Sequence, residues 1–391
     1  MGNFLFLQFH HTQSLYDMKY LLCFSHLSWN FVYQRPQHLL TRFSKKYHVF
    51  YFEEPKIGVS DQYIVNLQDG VYIVELLITD HENTSDRVRN LITQVIEAYD
   101  IENYITWYYT PMALQFTDHL NPEIVVYDSM DELSAFKFAP PQLIQLEEQL
   151  FKKSDVVFTG GNSLYEAKKN RHHNIHSMPS SIDKLHFGKA RTIQQEPEDQ
   201  QSIGFPRLGF FGVVDERFDI ELLRKVSGER PDWQFVIIGP VVKIDPNDLP
   251  RAENIHYLGP KTYAELPDYI AHWDIALILF ALNESTEFIS PTKTPEYLAA
   301  GRPVISTAIK DVVNPYGNAG LVQIIHDGNS FISAAEKIFA DTEKERWLAE
   351  VDHFLENNSW DHTFKKMNAL INEAQIDKEQ VITTQKQIKH V

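Results

Sequence analysis

The 391-residue chain has a single cysteine, Cys23, which excludes an intramolecular disulfide and any cysteine metal cluster. A lone thiol inside an apolar run is by default a small core hydrophobe, and it fits a reducing cytoplasm. No run approaches the ~20 apolar residues that a membrane-spanning helix needs. The N-terminal "FLFLQF" is short and lacks the preceding basic residues of a good signal peptide. "MKYLLCFSH" from Met18 makes a better domain start, so residues 1–17 are expected to be an N-terminal extension. Positive charge is also scarce: 36 Lys and Arg against 53 Asp and Glu leave a net charge of −17. That deficit argues against nucleic acid as a partner, because general binding needs a basic footprint to displace counterions. The local group Lys152, Lys153, Lys168, Lys169 and Arg171 reads as a solvated helix face. Fixed-period repeats and low-complexity tracts are absent.

What is present is an alternation of buried-strand and helix patterns, repeated in two series. In the first, strands are predicted at 20–25, 48–53, 71–78, 104–109, 123–128, 155–160 and 175–179. Helices are predicted between them at 36–46, 85–99, 142–153 and 162–171. The second series places strands at 207–212, 234–239, 255–259, 275–280, 303–307 and 321–325, with helices at 219–228, 262–272, 295–300 and 330–341. Strands separated by helices imply parallel sheets with right-handed crossovers. The fold class is therefore α/β, with two Rossmann-like doubly wound domains over 18–187 and 207–357 facing a shared cleft. The polar stretch 188–206 reads as a linker. Residues 358–374 form an amphipathic closing helix within a C-terminal segment, 358–391, whose end "QVITTQKQIKHV" reads as a frayed tail. In such sheets ligands sit in the crevice at the C-terminal strand ends.

One stretch of the second series, "SPTKTPEYLAAGRPVIST" (290–307), carries chemistry. Pro295 suits the first turn of a compact helix and Gly301 its stop. The N–H groups at the start of that helix have no intrahelical partners and favour an anion. Lys293 adds a full positive charge there, and Glu296 offers a carboxylate for a pair of ribose hydroxyls. An ordinary capped helix with a solvated Lys and Glu is the plainer alternative.

The same stretch resembles the nucleotide-sugar signature of the group 1 (family 4-like) glycosyltransferases of GT-B fold, which reads Pro-x-Lys-x-x-Glu-Tyr-x-Ala-x-Gly-x-Pro-Val. The resemblance extends to the type that builds bacterial surface polysaccharides or teichuronic acid. It implies that Glu296 holds the ribose, while Lys293 and the amides around Thr292 and Thr294 meet the diphosphate or sugar. "NIHYLGPKTYAEL" is similar to the family's base-binding loop, which implies that Leu258, Gly259 and Tyr263 lie near the base. Ser180, Ser181, Ile182 and Asp183 stand in the turn that closes its first domain, and "NSWD" matches its crossover helix. Two departures stand out. Phe288 occupies the position of a first, sugar-contacting glutamate, with Glu287 one residue out of register. The glycine-rich loop after the first strand is replaced by "SHLSWNFVYQRPQHLL", which puts Trp29, Arg35 and His38 at a strand-to-helix turn as cleft or acceptor candidates. For Arg35 the alternative is a pair with a neighbouring carboxylate; for Trp29 it is core packing.

After the first strand of the second series, Gly212 permits close backbone approach. The resemblance points to Arg217 as a diphosphate contact, with a salt bridge to the crowding Asp215, Glu216 or Asp219 as the alternative. Asp128 and Asp131, in "VVYDSMDELSAF", are candidate catalytic carboxylates at a strand end, against a helix-capping role. No Asp-x-Asp stands in a suitable loop, and the histidines show no metal-ligand spacing. The expectation is therefore a metal-independent, cofactor-free transfer from a nucleotide-sugar donor, a UDP-sugar, to a glycan or lipid-linked acceptor. The expected place is the cytoplasm, with room for peripheral contact at the inner membrane face. A GT-B nucleotide-sugar epimerase and a non-catalytic nucleotide-sugar-binding subunit are the alternatives.

Overall fold

The computed structural model describes residues 18–80 and 82–388; the expected extension at 1–17 lies outside them. The chain runs β1 (Tyr20–Phe24), α1 (Arg35–Phe43), β2 (His48–Phe52), β3 (Lys56–Ile57), β4 (Gln62–Gln68) and β5 (Val71–Ile78). It continues α2 (Thr84–Ala98), β6 (Tyr104–Tyr108), α3 (Leu114–Thr117), β7 (Val125–Ser129), α4 (Leu143–Lys153), β8 (Val156–Thr159), α5 (Asn162–Lys168), β9 (Ile175–Ser177) and α6 (Lys184–Gly188). The second series is β10 (Arg207–Phe211), α7 (Ile220–Glu229), β11 (Gln234–Ile238), β12 (Ile255–Gly259), α8 (Leu266–Ile270) and β13 (Ile275–Ile278). It ends α9 (Lys293–Ala299), β14 (Val304–Thr307), α10 (Lys310–Val312), β15 (Val322–Ile325), α11 (Gly328–Ala340), α12 (Lys344–Phe354) and α13 (Trp360–Ile388).

Two sheets result. The second has the order β12-β11-β10-β13-β14-β15, all parallel, which is the doubly wound 3-2-1-4-5-6 arrangement. The first has β5-β2-β1-β6-β7-β8-β9 in the same sense, with β3 and β4 added to β5. The strand order reverses at β1/β6 in one sheet and at β10/β13 in the other, and the loops leaving these strands build the cleft. Strands such as "VVFT" in β8 and "IALI" in β13 are buried at every position, as helix-covered parallel strands require.

Three features differ from the sequence expectation. The antiparallel hairpin β4–β5 was not predicted; it closes on a two-residue Asp69–Gly70 turn with both residues at positive φ, the geometry that follows the twist of the flanking strands. The stretch 188–206 is packed rather than loose. Ala190 and Ile203 join the core of the second domain, and the buried Gln200 accepts a hydrogen bond from Trp273 Nε1 (2.9 Å) and donates to the Tyr269 carbonyl (3.2 Å). Ile182 and Phe187 already belong to that core, so packing changes hands earlier than the polar composition suggests. Finally, α13 continues to Ile388 where a frayed tail was expected from 380. It returns to the first domain, burying Trp360, Met367 and Ile371 of its first half in that core and pairing Lys378 beyond them with Asp155 (2.8 Å).

Candidate active site

The cleft between the sheets has a volume of about 850 Å³. Its second-domain wall is built around α9. This seven-residue helix ends in a paired closure: Gly301, at φ +72°, donates to the Leu298 carbonyl (2.9 Å) and Arg302 donates to that of Tyr297 (3.0 Å). The Tyr297 hydroxyl in turn accepts from the Phe211 N–H (2.9 Å), tying α9 to the end of β10. Lys293 at the start of the helix lies across Gly212, where a Cβ would come within 2.2 Å of its Cε. Gly212 has φ +137°, so both its backbone and the absent side chain are needed for the lysine to lie there. The ammonium stands 5.5 Å from the ring centroids of Phe210 and Phe280. Among the described residues no carboxylate lies within ion-pair distance of it. Burial pushes the Lys293 ammonium below its usual range, with Glu296 pulling it back up. Burial likewise pushes the Glu296 carboxyl up, with Lys293 pulling it down. Glu296 is itself 5 % exposed and lines the cleft, and its carboxylate has no hydrogen-bond partner among the described residues. The carboxylate and the ammonium thus face the cleft with shifted proton affinities, which makes the pair a candidate ligand site.

Arg217 also reaches this wall, but in a different state. The buried Asp215 accepts from its Nη2 (2.7 Å), its Nε (3.0 Å) and its backbone N–H (3.0 Å). The salt bridge foreseen as an alternative therefore forms, and it holds the guanidinium in the cleft with Phe136 of the first domain 5.3 Å away. Thr292 lines the cleft as expected. Thr294 is fully buried behind it with an unpartnered hydroxyl, and the Gly259 carbonyl accepts from the Gly239 N–H (2.9 Å) outside the cleft lining. Tyr263 lines the cleft, but its ring faces are taken by Tyr33 (4.5 Å) and His186 (4.2 Å), so it closes the two domains against each other. Glu287 pairs with Lys310 (2.7 Å) and does not line the cleft.

The first-domain wall corrects several expectations. Asp128 is fully buried and accepts from Arg35 Nε (3.0 Å) and Nη2 (2.9 Å), while Arg35 Nη1 donates to the Met178 carbonyl (2.8 Å). With no surface to offer a substrate, Asp128 is a structural partner rather than a base, and Arg35 is consumed rather than free for an anion. His38 is buried outside the cleft, stacked on Trp360 (4.7 Å), and burial drives its ring well below the usual histidine range. Trp29 is 3 % exposed, packs edge-on against Tyr51 (5.0 Å) and serves as floor. Asp131 does line the cleft. Burial raises its carboxyl to about 6, with Arg217 and Arg35 pulling it down.

Sequence reasoning missed Asn30, Phe31, Gln68 and Asp69, which complete this wall; the Asp-Gly pair at 69–70 was the available signal for the hairpin that brings two of them there. It also missed Asp311 of the second domain, whose carboxylate accepts from the Asn162 and Ser163 N–H groups (both 2.8 Å) at the start of α5 in the first. Ser180 adds a second tie, donating to the Ser290 carbonyl (3.0 Å). Among the described residues no group of three or more His, Cys, Asp or Glu is arranged for a metal ion, and no helix is long and apolar enough to cross a membrane.

Comparison with known proteins agrees with this geometry. The family of glycosyl transferases group 1 matches residues 206–341, the domain that carries α9. A Bacillus subtilis (strain 168) protein named for a glycosyltransferase role in teichuronic acid biosynthesis is 21 % identical over 290 residues, 68 % of this chain and 71 % of its own. Among solved structures, sucrose-phosphate synthase from Thermosynechococcus elongatus superposes with a TM-score of 0.67 at 15 % identity, covering 91 % of this chain and 98 % of that one. The Anabaena protein HepE in complex with UDP and glucose gives 0.68 at 11 %, covering 91 % and 100 %. A UDP-forming α,α-trehalose-phosphate synthase from Burkholderia vietnamiensis gives 0.63 at 12 %, covering 92 % and 99 %. Two doubly wound domains around one cleft give the described chain the GT-B fold, and its second domain, residues 206–341, matches the group 1 glycosyltransferases.

Proposed function

We propose that the enzyme transfers a sugar from a UDP-linked donor to a saccharide or lipid-linked acceptor in surface-polysaccharide synthesis, without a metal ion. The observation that carries this reading is Lys293: a cation with no carboxylate in ion-pair distance among the described residues, laid over Gly212 at the start of α9, with the buried Glu296 one turn on. A nucleoside diphosphate supplies both missing partners, since its phosphates meet the ammonium and its ribose hydroxyls donate to the carboxylate. In the reaction the bond from the anomeric carbon to the diphosphate oxygen breaks. Lys293 and the pre-oriented Arg217 offset the charge that develops on the departing UDP. A hydroxyl of the acceptor forms the new bond, and Asp131, on the opposite wall, takes its proton. The solved complex of HepE with UDP and glucose supports UDP as the nucleotide, and the named role of the Bacillus subtilis relative supports a surface polymer as destination. The proposed place of work is the cytoplasm, at the inner membrane face when the acceptor is lipid-linked.

Thermal unfolding with UDP, GDP and ADP tests the donor site. A ligand at a hundred times its dissociation constant stabilises by about 2.7 kcal/mol, so UDP should raise the midpoint of the wild type and not of Lys293→Ala/Glu296→Ala. Equal shifts in both proteins would remove α9 from the donor site. Acceptor-dependent release of UDP from a UDP-sugar then identifies transfer; sugar inversion without release would identify an epimerase, and binding without turnover a regulatory subunit.

A further inference from the structure

The first-domain wall bears on which acceptor the cleft admits, an inference that rests on the transfer proposed above. Among the described residues lining that wall the one cation is Arg35, and Asp128 and the Met178 carbonyl already use it. The residues outside the description at the N-terminus, 1–17, contain no lysine or arginine. What the wall does present is polar and uncommitted. Asn30, Gln68, Asp69 and Asp131 make no hydrogen bond or ion pair through their side chains among the described residues, and Phe31 exposes 46 % of its surface beside them. Two of the four are carboxylates. Planar amide and carboxylate groups take sugar hydroxyls as hydrogen-bond partners, and an aromatic face takes the apolar side of a pyranose ring. The same carboxylates repel a phosphate or a uronate, and among the described residues lining that wall no free cation offsets them. The fold itself does not decide this, since it also serves synthases named for phosphorylated sugars.

We propose that Asn30, Phe31, Gln68 and Asp69 form the acceptor subsite, with the tip of the β4–β5 hairpin as its specificity element, and that this subsite selects an uncharged saccharide end against a phosphorylated or uronate one. The hairpin places Gln68 and Asp69 over the cleft, so charge at its tip governs the selection.

Saturation-transfer NMR on the full chain loaded with UDP provides the test. The probes are methyl glucoside, methyl galactoside and N-acetylglucosamine against glucose 6-phosphate and glucuronate. At least one neutral probe should bind ten-fold or more tightly than both anions. Gln68→Arg/Asp69→Lys should shrink that preference five-fold or more, while the UDP-induced thermal shift, the control for folding, stays at its wild-type size. Equal or tighter binding of the anions to the wild type overturns the inference, and so does a preference that the double variant leaves untouched. Binding of no neutral probe to a protein that UDP does stabilise overturns it as well, with the donor reading intact. A chain that UDP fails to stabilise contradicts the donor reading instead and takes this inference with it.

Discussion

Lys293 and Arg35 occupy corresponding situations on the two walls of the cleft: each is a cation at the first position of a helix that follows a long strand-to-helix loop. Lys293 has no carboxylate within ion-pair distance among the described residues and faces the cleft, whereas Arg35 is locked onto Asp128 and 2 % exposed. The difference lies in what the rest of the chain supplies. Asp128 stands near the end of β7, two strands from β1 in the first sheet, and meets the guanidinium with both oxygens. Beside Lys293 the second sheet supplies Gly212 and two phenylalanine rings, which leave its charge for a ligand. A local motif thus sets where a cation sits, and the partner contributed from elsewhere sets whether it can bind anything.

Breaking the pair on the first wall should have the largest effect. Removing one partner of a buried ion pair costs about 3–5 kcal/mol, so Asp128→Ala should lower the unfolding midpoint by many degrees. A midpoint within a degree of wild type, with transfer abolished, would restore Asp128 as a base. Asp131→Asn should do the reverse, cutting turnover by about 10²–10⁴-fold with stability and UDP binding kept. A base works ionised, so with the Asp131 carboxyl raised to about 6 by burial, the wild-type rate should climb as pH rises through about 6. That limb should be missing from the residual activity of Asp131→Asn.

Much of the second wall was legible because its chemistry is local. Lys293, Pro295, Glu296 and Gly301 lie within one short helix and its closure, and their spacing alone fixes which groups share the turn. Arg35 and Asp128 are 93 positions apart, and only the parallel β1/β6/β7 order brings their strand ends together. The alternation of strands and helices displayed both sheets. The hairpin was missed because β4, "QYIVNLQ", is an exposed edge strand with a polar, interrupted pattern. The end of α13 was missed for a related reason: "QVITTQKQI" has few apolar positions, yet its Gln and Lys residues are good helix formers.

Two smaller effects would sharpen the second wall. If Glu296 accepts from the ribose, wild type should prefer UDP over 2′-deoxy-UDP by about ten-fold, since a hydrogen bond to a charged group is worth about 1.5–3 kcal/mol. Glu296→Ala should bind both equally, as titration calorimetry would read; an undiminished preference in the variant would move the ribose elsewhere. Asp215→Asn should be milder still. It leaves Arg217 in place with a weaker partner and should raise the donor KM by about five-fold, in line with about 1 kcal/mol for one hydrogen bond, with the melting midpoint of the free protein little changed.

The most direct measurement is calorimetric titration of UDP and of uridine into wild type and Lys293→Ala. If the uncommitted ammonium of the second wall is the diphosphate site, UDP should bind wild type at least a hundred-fold more tightly than uridine. That ratio should fall to within about ten-fold in Lys293→Ala, which should still bind uridine as wild type does. A ratio unchanged by the substitution would contradict the assignment of Lys293 and, with it, the contrast between the two walls.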